Sequence, residues 1–325
     1  MKILIIGYGA IGHSIASKIP SNVQIDILTS DIFNSRKITN NFGETNKINQ
    51  VYHYGSNIDE EYDYAFFTLP LQYKISRSEE LSQILKPTKI IITPANQGTY
   101  SILPKSIKDK HEFVLLERVP YISRVNVLQE SVNIYGIKPF MHYSATYNLD
   151  NKLQDDLKYL MPGINEWIPH SSPFDIELIS SNATLHTARI YNLFKDGNNF
   201  DKDIRFYVDW DDETSELFMN LELEVLKIKD AIEKKDNITI DLFDMFTYFN
   251  VKDITIANVK KGVTTFPPFQ SINFYAKDKE DLKISRFLVD DCILGIDVYL
   301  ELASKYNVDT PNFKMINDWA KDFVK

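Results

Sequence analysis

The run KILII (2–6) passes directly into Gly7-Tyr8-Gly9-Ala10-Ile11-Gly12, and AIGHSIASKI (10–19) then has helical spacing. A strand that turns into a helix through G-x-G-x-x-G has few options. The first glycine permits the tight turn, the second lets the backbone approach a ligand, and the third lets the helix pack closely on the strand. The chain has only 11 glycines in 325 residues, roughly half of what average usage of about 7 % would give. Three of them within the first twelve positions therefore mark a specific demand. The helix start adds unpaired N–H groups and the positive end of a dipole. This combination implies a dinucleotide whose pyrophosphate lies against Gly7, Gly9, Ala10, Ile11 and Gly12.

The rest of the first half fits that reading. VQIDILTS (23–30), YDYAFFTLP (62–70), KIIITPA (89–95) and FVLLERV (113–119) are further strand-length apolar runs. Continuous runs of this kind suit strands covered on both faces. SRSEELSQIL (76–85) reads as a helix between them, SVNIYGIKPFMHYSAT (131–146) as a late hairpin and DLKYLMPGI (156–164) as a closing helix. The rhythm predicts an α/β fold with a doubly wound, Rossmann-type sheet. After PHSSPF (169–174) helical spacing takes over, in 174–194, 212–235, 239–249 and 284–306. The expected organisation is a dinucleotide-binding domain at 1–170 and a mainly α-helical substrate and catalytic domain at 171–325. The aromatics of FDMFTYF (243–249) and FFTL (66–69) read as core.

Composition narrows the function classes. A net charge of −9 argues against general nucleic-acid affinity. No apolar stretch reaches the roughly 18 residues of a membrane span. The start of the chain does not read as a signal peptide, and the single cysteine, Cys292, fits a reducing compartment. The expectation is a cytoplasmic enzyme of small molecules, with room for a homodimer.

The second strand ends in TSDIFNSRK (29–37). An acidic residue there favours NAD through the ribose 2′-OH, whereas hydroxyls and a cation favour the 2′-phosphate of NADP. Asp31 supports the first; Thr29, Ser30, Arg36 and Lys37 support the second. The strand-end positions are Thr and Ser, which tips the reading toward NADP, with Ser30 and Arg36 as contacts.

Four stretches resemble one family. ERVPYISR (117–124) resembles the E-T-x-P-Y-x-x-R stretch of the octopine/nopaline dehydrogenases, and NATLHT (182–187) their N-x-x-x-H-P segment. RFLVDDCILG (286–295) resembles R-Y-L-T-E-D-V-P-Y-G, and YNVDTP (306–311) the following G-V-x-T-P. Thr187, Cys292, Ile293, Leu294 and Asn307 depart from these patterns. The resemblance implies an opine dehydrogenase, which joins the amino group of an amino acid to a 2-oxoacid by reduction with NAD(P)H.

It also assigns roles. Such a reaction needs a group that exchanges protons near neutral pH, and histidine suits it. Of six histidines only His186 lies on an apolar helix just beyond the domain boundary, where a cleft is expected. Position alone favours a packed core histidine; the matching segment makes it catalytic. Asp291 matches the family's acidic position and would orient His186, as carboxylates do in hydrolase triads. Its neighbour Asp290 lies four residues from Arg286, at the spacing of a helix ion pair. Arg286 is a candidate bidentate clamp for a substrate carboxylate, or the partner of Asp290. Asn182, one helical turn before His186, is either a cofactor contact or part of a local network. Glu117, at a strand end, takes the polar end of the amino acid, or else pairs with Arg118 or Arg124. A ketopantoate-reductase-like or 3-hydroxyacid dehydrogenase would carry a lysine on the helix at 174–194, which has none. A catalytically silent dinucleotide-binding protein is the remaining alternative.

Overall fold

The computed structural model describes residues 1–31, 35–86, 90–95, 98–201, 203–270, 272–285 and 287–324. The chain divides into two compact units, Met1–Ile176 and Glu177–Lys325.

The first unit is built on an eleven-stranded sheet. Its strands are β1 (Lys2–Ile6), β2 (Gln24–Thr29), β3 (Lys37–Asn40), β4 (Thr45–His53), β5 (Tyr64–Phe67), β6 (Ile90–Pro94), β7 (Glu112–Leu116), β8 (Tyr121–Val127), β9 (Ser131–Ile137), β10 (Phe140–Ala145) and β11 (Glu166–His170). Four helices accompany them: α1 (Ala10–Lys18), α2 (Leu71–Ile84), α3 (Lys105–Lys108) and α4 (Asn151–Leu160). The strand order is β11-β10-β7-β6-β5-β1-β2-β4-β3-β9-β8. From β1 the chain first builds outward through β2 and then returns to build the other side through β5, β6 and β7. That reversal is the switch point at which doubly wound sheets bind ligands. The central strands are parallel and nearly all buried: Ile3, Leu4, Ile5 and Ile6 are wholly inaccessible. This matches the continuous apolar runs in the sequence and bears out the Rossmann-type fold class.

Three local expectations change. The hairpin is β8 with β9, which pair antiparallel from Tyr121↔Ile137 to Val127↔Ser131. β10 instead joins β7 and β11 at the far side of the sheet. Between β9 and β10 the Lys138 N–H donates to the Pro120 carbonyl at 3.2 Å and the Pro139 carbonyl accepts from the Asn165 N–H at 3.1 Å, so the two residues bond to different neighbours and not to each other across a turn. β3 and β4 were not legible as strands, because only Ile38, Asn40, Asn46 and Ile48 of their residues are buried. The closing helix starts five residues earlier than expected: the Asp150 side chain caps α4 by accepting from the Leu153 N–H at 2.7 Å. It ends at Leu160, ahead of Pro162.

The second unit is mainly helical, as expected. It begins within α5 (Pro173–Glu177) and continues through α6 (Asn182–Phe194), α7 (Asp212–Asp236), α8 (Met245–Tyr248), α9 (Ile256–Thr264), α10 (Lys279–Lys283), α11 (Ile296–Tyr306) and α12 (Pro311–Phe323). Two short strands, β12 (Ile204–Arg205) and β13 (Asn273–Phe274), pair antiparallel. The helix expected over 239–249 reduces to the four residues of α8. The segment Phe287–Gly295 is a π-helix that leads into α11. Asn307 closes α11 in the left-handed conformation at φ +57. Asparagine is one of the few residues that reaches this region without large strain, which explains how it stands where the resembling motif has glycine.

Candidate active site

The glycine turn is shaped by three different constraints. Gly7 has φ +91, and a Cβ there would sit 2.6 Å from the Leu69 side chain. A Cβ on Gly12 would lie 2.3 Å from the Gly7 carbonyl oxygen, so α1 could not pack on β1. Gly9 differs: a Cβ there meets nothing within 4 Å. Packing does not require glycine at that point, but a ligand lying against the backbone does. Among the described residues no side chain caps α1, and its first turn carries no acidic residue. The N–H groups at Ala10 and Ile11 are thus presented to an anion.

His13 holds this turn. Its Nδ1–H donates to the Gly9 carbonyl at 2.9 Å, and its Nε2 accepts from the Gln129 N–H at 2.8 Å. The two bonds require the neutral ring, and burial lowers the His13 pKa in the same direction.

A cavity of about 340 Å³ opens beside the turn, lined among others by Gly7, Gly9, Ser30, Asp31, Tyr54 and Arg77. Glycine backbone at one end and strand-end hydroxyl and carboxylate at the other fit the adenosine-pyrophosphate half of a dinucleotide. Arg36 is not among the lining residues; its Nη1 donates to the Asn49 carbonyl at 3.1 Å.

Glu117 follows β7 directly and is almost fully buried. Its Oε2 has no hydrogen-bond partner among the described residues. Burial raises its pKa, opposed by the charges of Arg118 and Lys138. Lys138 in turn is pushed down to about 8 by burial and by Arg118. Close by in the same unit, His142 Nδ1 and His170 Nε2 are 2.7 Å apart, and Asp175 Oδ2 lies 3.6 Å from His170 Nδ1.

In the second unit α6 is buried on nearly every face. It starts from Ser181, a non-glycine residue at φ +43, a conformation that costs about 1–3 kcal/mol and persists only where neighbours hold it. The neighbours are visible. The Ser180 and Thr184 hydroxyls both donate to the buried carboxyl of Glu222 on α7. Asn182, half-buried, opens the helix, and His186 follows one turn later. Thr187, where the resembling motif has proline, returns its hydroxyl to the Ala183 carbonyl at 2.6 Å.

His186 is 6 % exposed and Asp291 5 %. The His186 Nδ1 lies 2.8 Å from Asp291 Oδ2. A carboxylate only accepts, so Nδ1 carries the proton. The Nε2 lies 2.7 Å from the Tyr207 hydroxyl. Tyr207 stacks on Phe269 at 3.8 Å between centroids, and the edges of Phe206 and Phe287 close on the imidazole at 5.5 and 4.9 Å. Tyr207 was not singled out in the sequence; it lies 21 residues from His186, and no local pattern links the two. Asp291 sits in the π-helix Phe287–Gly295. Arg286 itself lies outside the described residues. Among the described residues no His, Cys, Asp and Glu cluster could hold a metal ion, and no helix is long and apolar enough to cross a membrane.

Residues 169–324 match the family model for the α-helical domain of the NAD/NADP octopine/nopaline dehydrogenases. No curated protein matches the chain by sequence. Among solved structures, octopine dehydrogenase with NADH and L-arginine aligns at a TM-score of 0.81 and 16 % identity, over 99 % of this chain and 89 % of that one. Yersinopine dehydrogenase with NADP+ aligns at 0.75 and 9 % identity, over 99 % and 90 %. A 2-dehydropantoate 2-reductase from Methylococcus capsulatus aligns at 0.66 and 11 % identity, over 99 % and 96 %. At such identities the likeness is one of fold. The family resemblance read from the motifs is borne out by the match over 169–324.

Proposed function

We propose that this chain, whose residues 169–324 carry the α-helical domain of the octopine/nopaline dehydrogenase family, is an opine-type dehydrogenase. It is an NAD(P)-dependent oxidoreductase acting on a CH–NH bond, condensing an amino acid with a 2-oxoacid. The observation that carries this reading is the buried Asp291–His186–Tyr207 string on the helix that opens that domain.

The chemistry assigns work to each residue. The amine of the amino acid must be neutral to attack the carbonyl carbon of the oxoacid. The carbinolamine that results loses its hydroxyl as water, and that oxygen needs a proton as it leaves. His186 takes up the proton that the ammonium form of the amine sheds and returns it through the Tyr207 hydroxyl on Nε2, which gives its own proton to the leaving oxygen as it takes the one on the ring. Asp291 holds the imidazole in one tautomer and balances the charge it carries in between. When bound, the nicotinamide supplies the hydride that reduces the imine carbon.

Gly7, Gly9, Ala10, Ile11 and Gly12 receive the pyrophosphate, and Ser30 lies at the ribose end. The preference is for NADP over NAD, and Asn182 contacts the cofactor. The Oε2 of buried Glu117, which has no hydrogen-bond partner among the described residues, suits an ammonium group, which would satisfy it. Arg286 takes a substrate carboxylate. The enzyme works in the cytoplasm, in keeping with its lone cysteine being buried and free.

A screen tests the proposal. NADPH or NADH oxidation is followed with pooled amino acids against pyruvate, 2-oxoglutarate and glyoxylate. Oxidation that requires both an amino acid and an oxoacid supports it. Oxidation with an oxoacid alone points to a 2- or 3-hydroxyacid dehydrogenase, and none with any pair to a silent binding protein.

A further inference from the structure

The cavity beside the glycine turn has one cation and one carboxylate among its described lining residues, Arg77 and Asp31. Strand register brings them to the same end of the sheet. In the β2–β4 pair Thr29 lies opposite His53, so Ser30 and Tyr54, the next residues, leave adjacent strands about 4.8 Å apart. The Arg77 guanidinium from α2 lies over the Tyr54 ring, 4.5 Å from its centroid. Glu80 fixes it there: one oxygen accepts from Arg77 Nη1 at 2.8 Å and the other from the Gly55 N–H at 2.9 Å. Only Nη1 is engaged in this way among the described residues, so the guanidinium keeps donors for a planar fork.

Arg36 is poorly placed for the same task. It is tied to the carbonyl of Asn49, five residues before Tyr54 on the same strand path, or about 16 Å at strand rise.

We propose that Arg77, held over the Tyr54 ring by Glu80, receives the 2′-phosphate of NADPH and sets the cofactor preference of the enzyme. The inference rests on the dinucleotide reading above. The guanidinium is pre-positioned, so little side-chain freedom is lost when the phosphate arrives. Asp31, on the neighbouring strand end, opposes a 2′-phosphate and makes the cation necessary.

NADPH and NADH are titrated separately into the full chain and into Arg77→Gln and Arg36→Ala, with nicotinamide fluorescence as the readout. Wild type binds NADPH more tightly. Arg77→Gln loses about 10- to 100-fold in NADPH affinity, while its NADH affinity moves less than about twofold, which also shows that the variant is folded. 2′-AMP competes with NADPH on the wild type and fails on Arg77→Gln. Equal losses for both cofactors, a larger NADPH loss in Arg36→Ala, or tighter NADH binding by the wild type each overturn the assignment. Failure of the wild type to bind either cofactor overturns the dinucleotide reading, and this inference with it.

Discussion

His186 and Asp291 meet across 105 residues of chain, with 2.8 Å between Nδ1 and Oδ2 and both side chains buried. One comes from a helix whose first turn is braced by Glu222, the other from a π-helix. Replacing both members of a buried, hydrogen-bonded pair of this kind with well-packed apolar residues is often neutral or stabilising, so packing alone gives a chain little reason to keep it.

His186→Gln keeps a hydrogen-bonding group of similar reach but cannot exchange a proton near neutral pH. Turnover is expected to fall by about 10²–10⁴, with cofactor affinity barely changed, because the pyrophosphate is assigned to the glycine turn and His186 is not among the proposed cofactor contacts. Steady-state rates and a fluorescence titration on the same preparation check both halves.

Asp291→Asn leaves the imidazole in place and removes the charge that orients it. A smaller loss than that of His186→Gln is expected. The double variant should be no slower than His186→Gln alone, because the two residues serve one step. Additive losses would separate their roles.

Tyr207→Phe deletes only the hydroxyl 2.7 Å from Nε2 and keeps the stack on Phe269. The expected result is a fall in kcat of about tenfold, the equivalent of one lost hydrogen bond, with an unchanged melting temperature. Loss of stability without loss of kcat would make Tyr207 a packing residue.

These residues differ in how legible they were. The glycine turn could be read in full, because each glycine answers a local constraint and the strand and helix around it are adjacent in sequence. His186 and Asp291 stood out only through their motifs. What brings them together is the packing of α6 against the π-helix, and no periodicity announces a π-helix. Tyr207 carries no signal, since its partner is set by a turn after β12. Arg77 was hidden because β4 reads as polar, and only the pairing of β4 with β2 brings Tyr54 next to Ser30. The hairpin was placed one strand late for a similar reason: sheet order, unlike strand identity, is a tertiary property.

Glu222 gives the brace of α6 a pH dependence. Burial raises its pKa to about 7 from 4.5, with the Ser180 and Thr184 hydroxyls opposing the shift. Between those values the folded state binds more protons than the unfolded chain, so stability falls as pH rises through that window. The contribution is fully present below about pH 4.5 and is lost by about pH 7, a change on the order of 3 kcal/mol. Glu222→Gln should flatten this part of the curve in denaturant melts taken at a series of pH values. An unchanged slope would assign it to other groups.

The central claim is that hydride reaches a carbon already joined to nitrogen. The most direct measurement follows deuteride from C4-deuterated NADPH, or NADH, into product by mass spectrometry, using the substrate pair found in the screen. The account predicts one deuterium on the carbon of a new secondary amine, in a product whose mass is that of amino acid plus oxoacid, less one oxygen, with one hydrogen replaced by deuterium. Deuterium appearing in a 2-hydroxyacid, with the amino acid recovered unchanged, would contradict it.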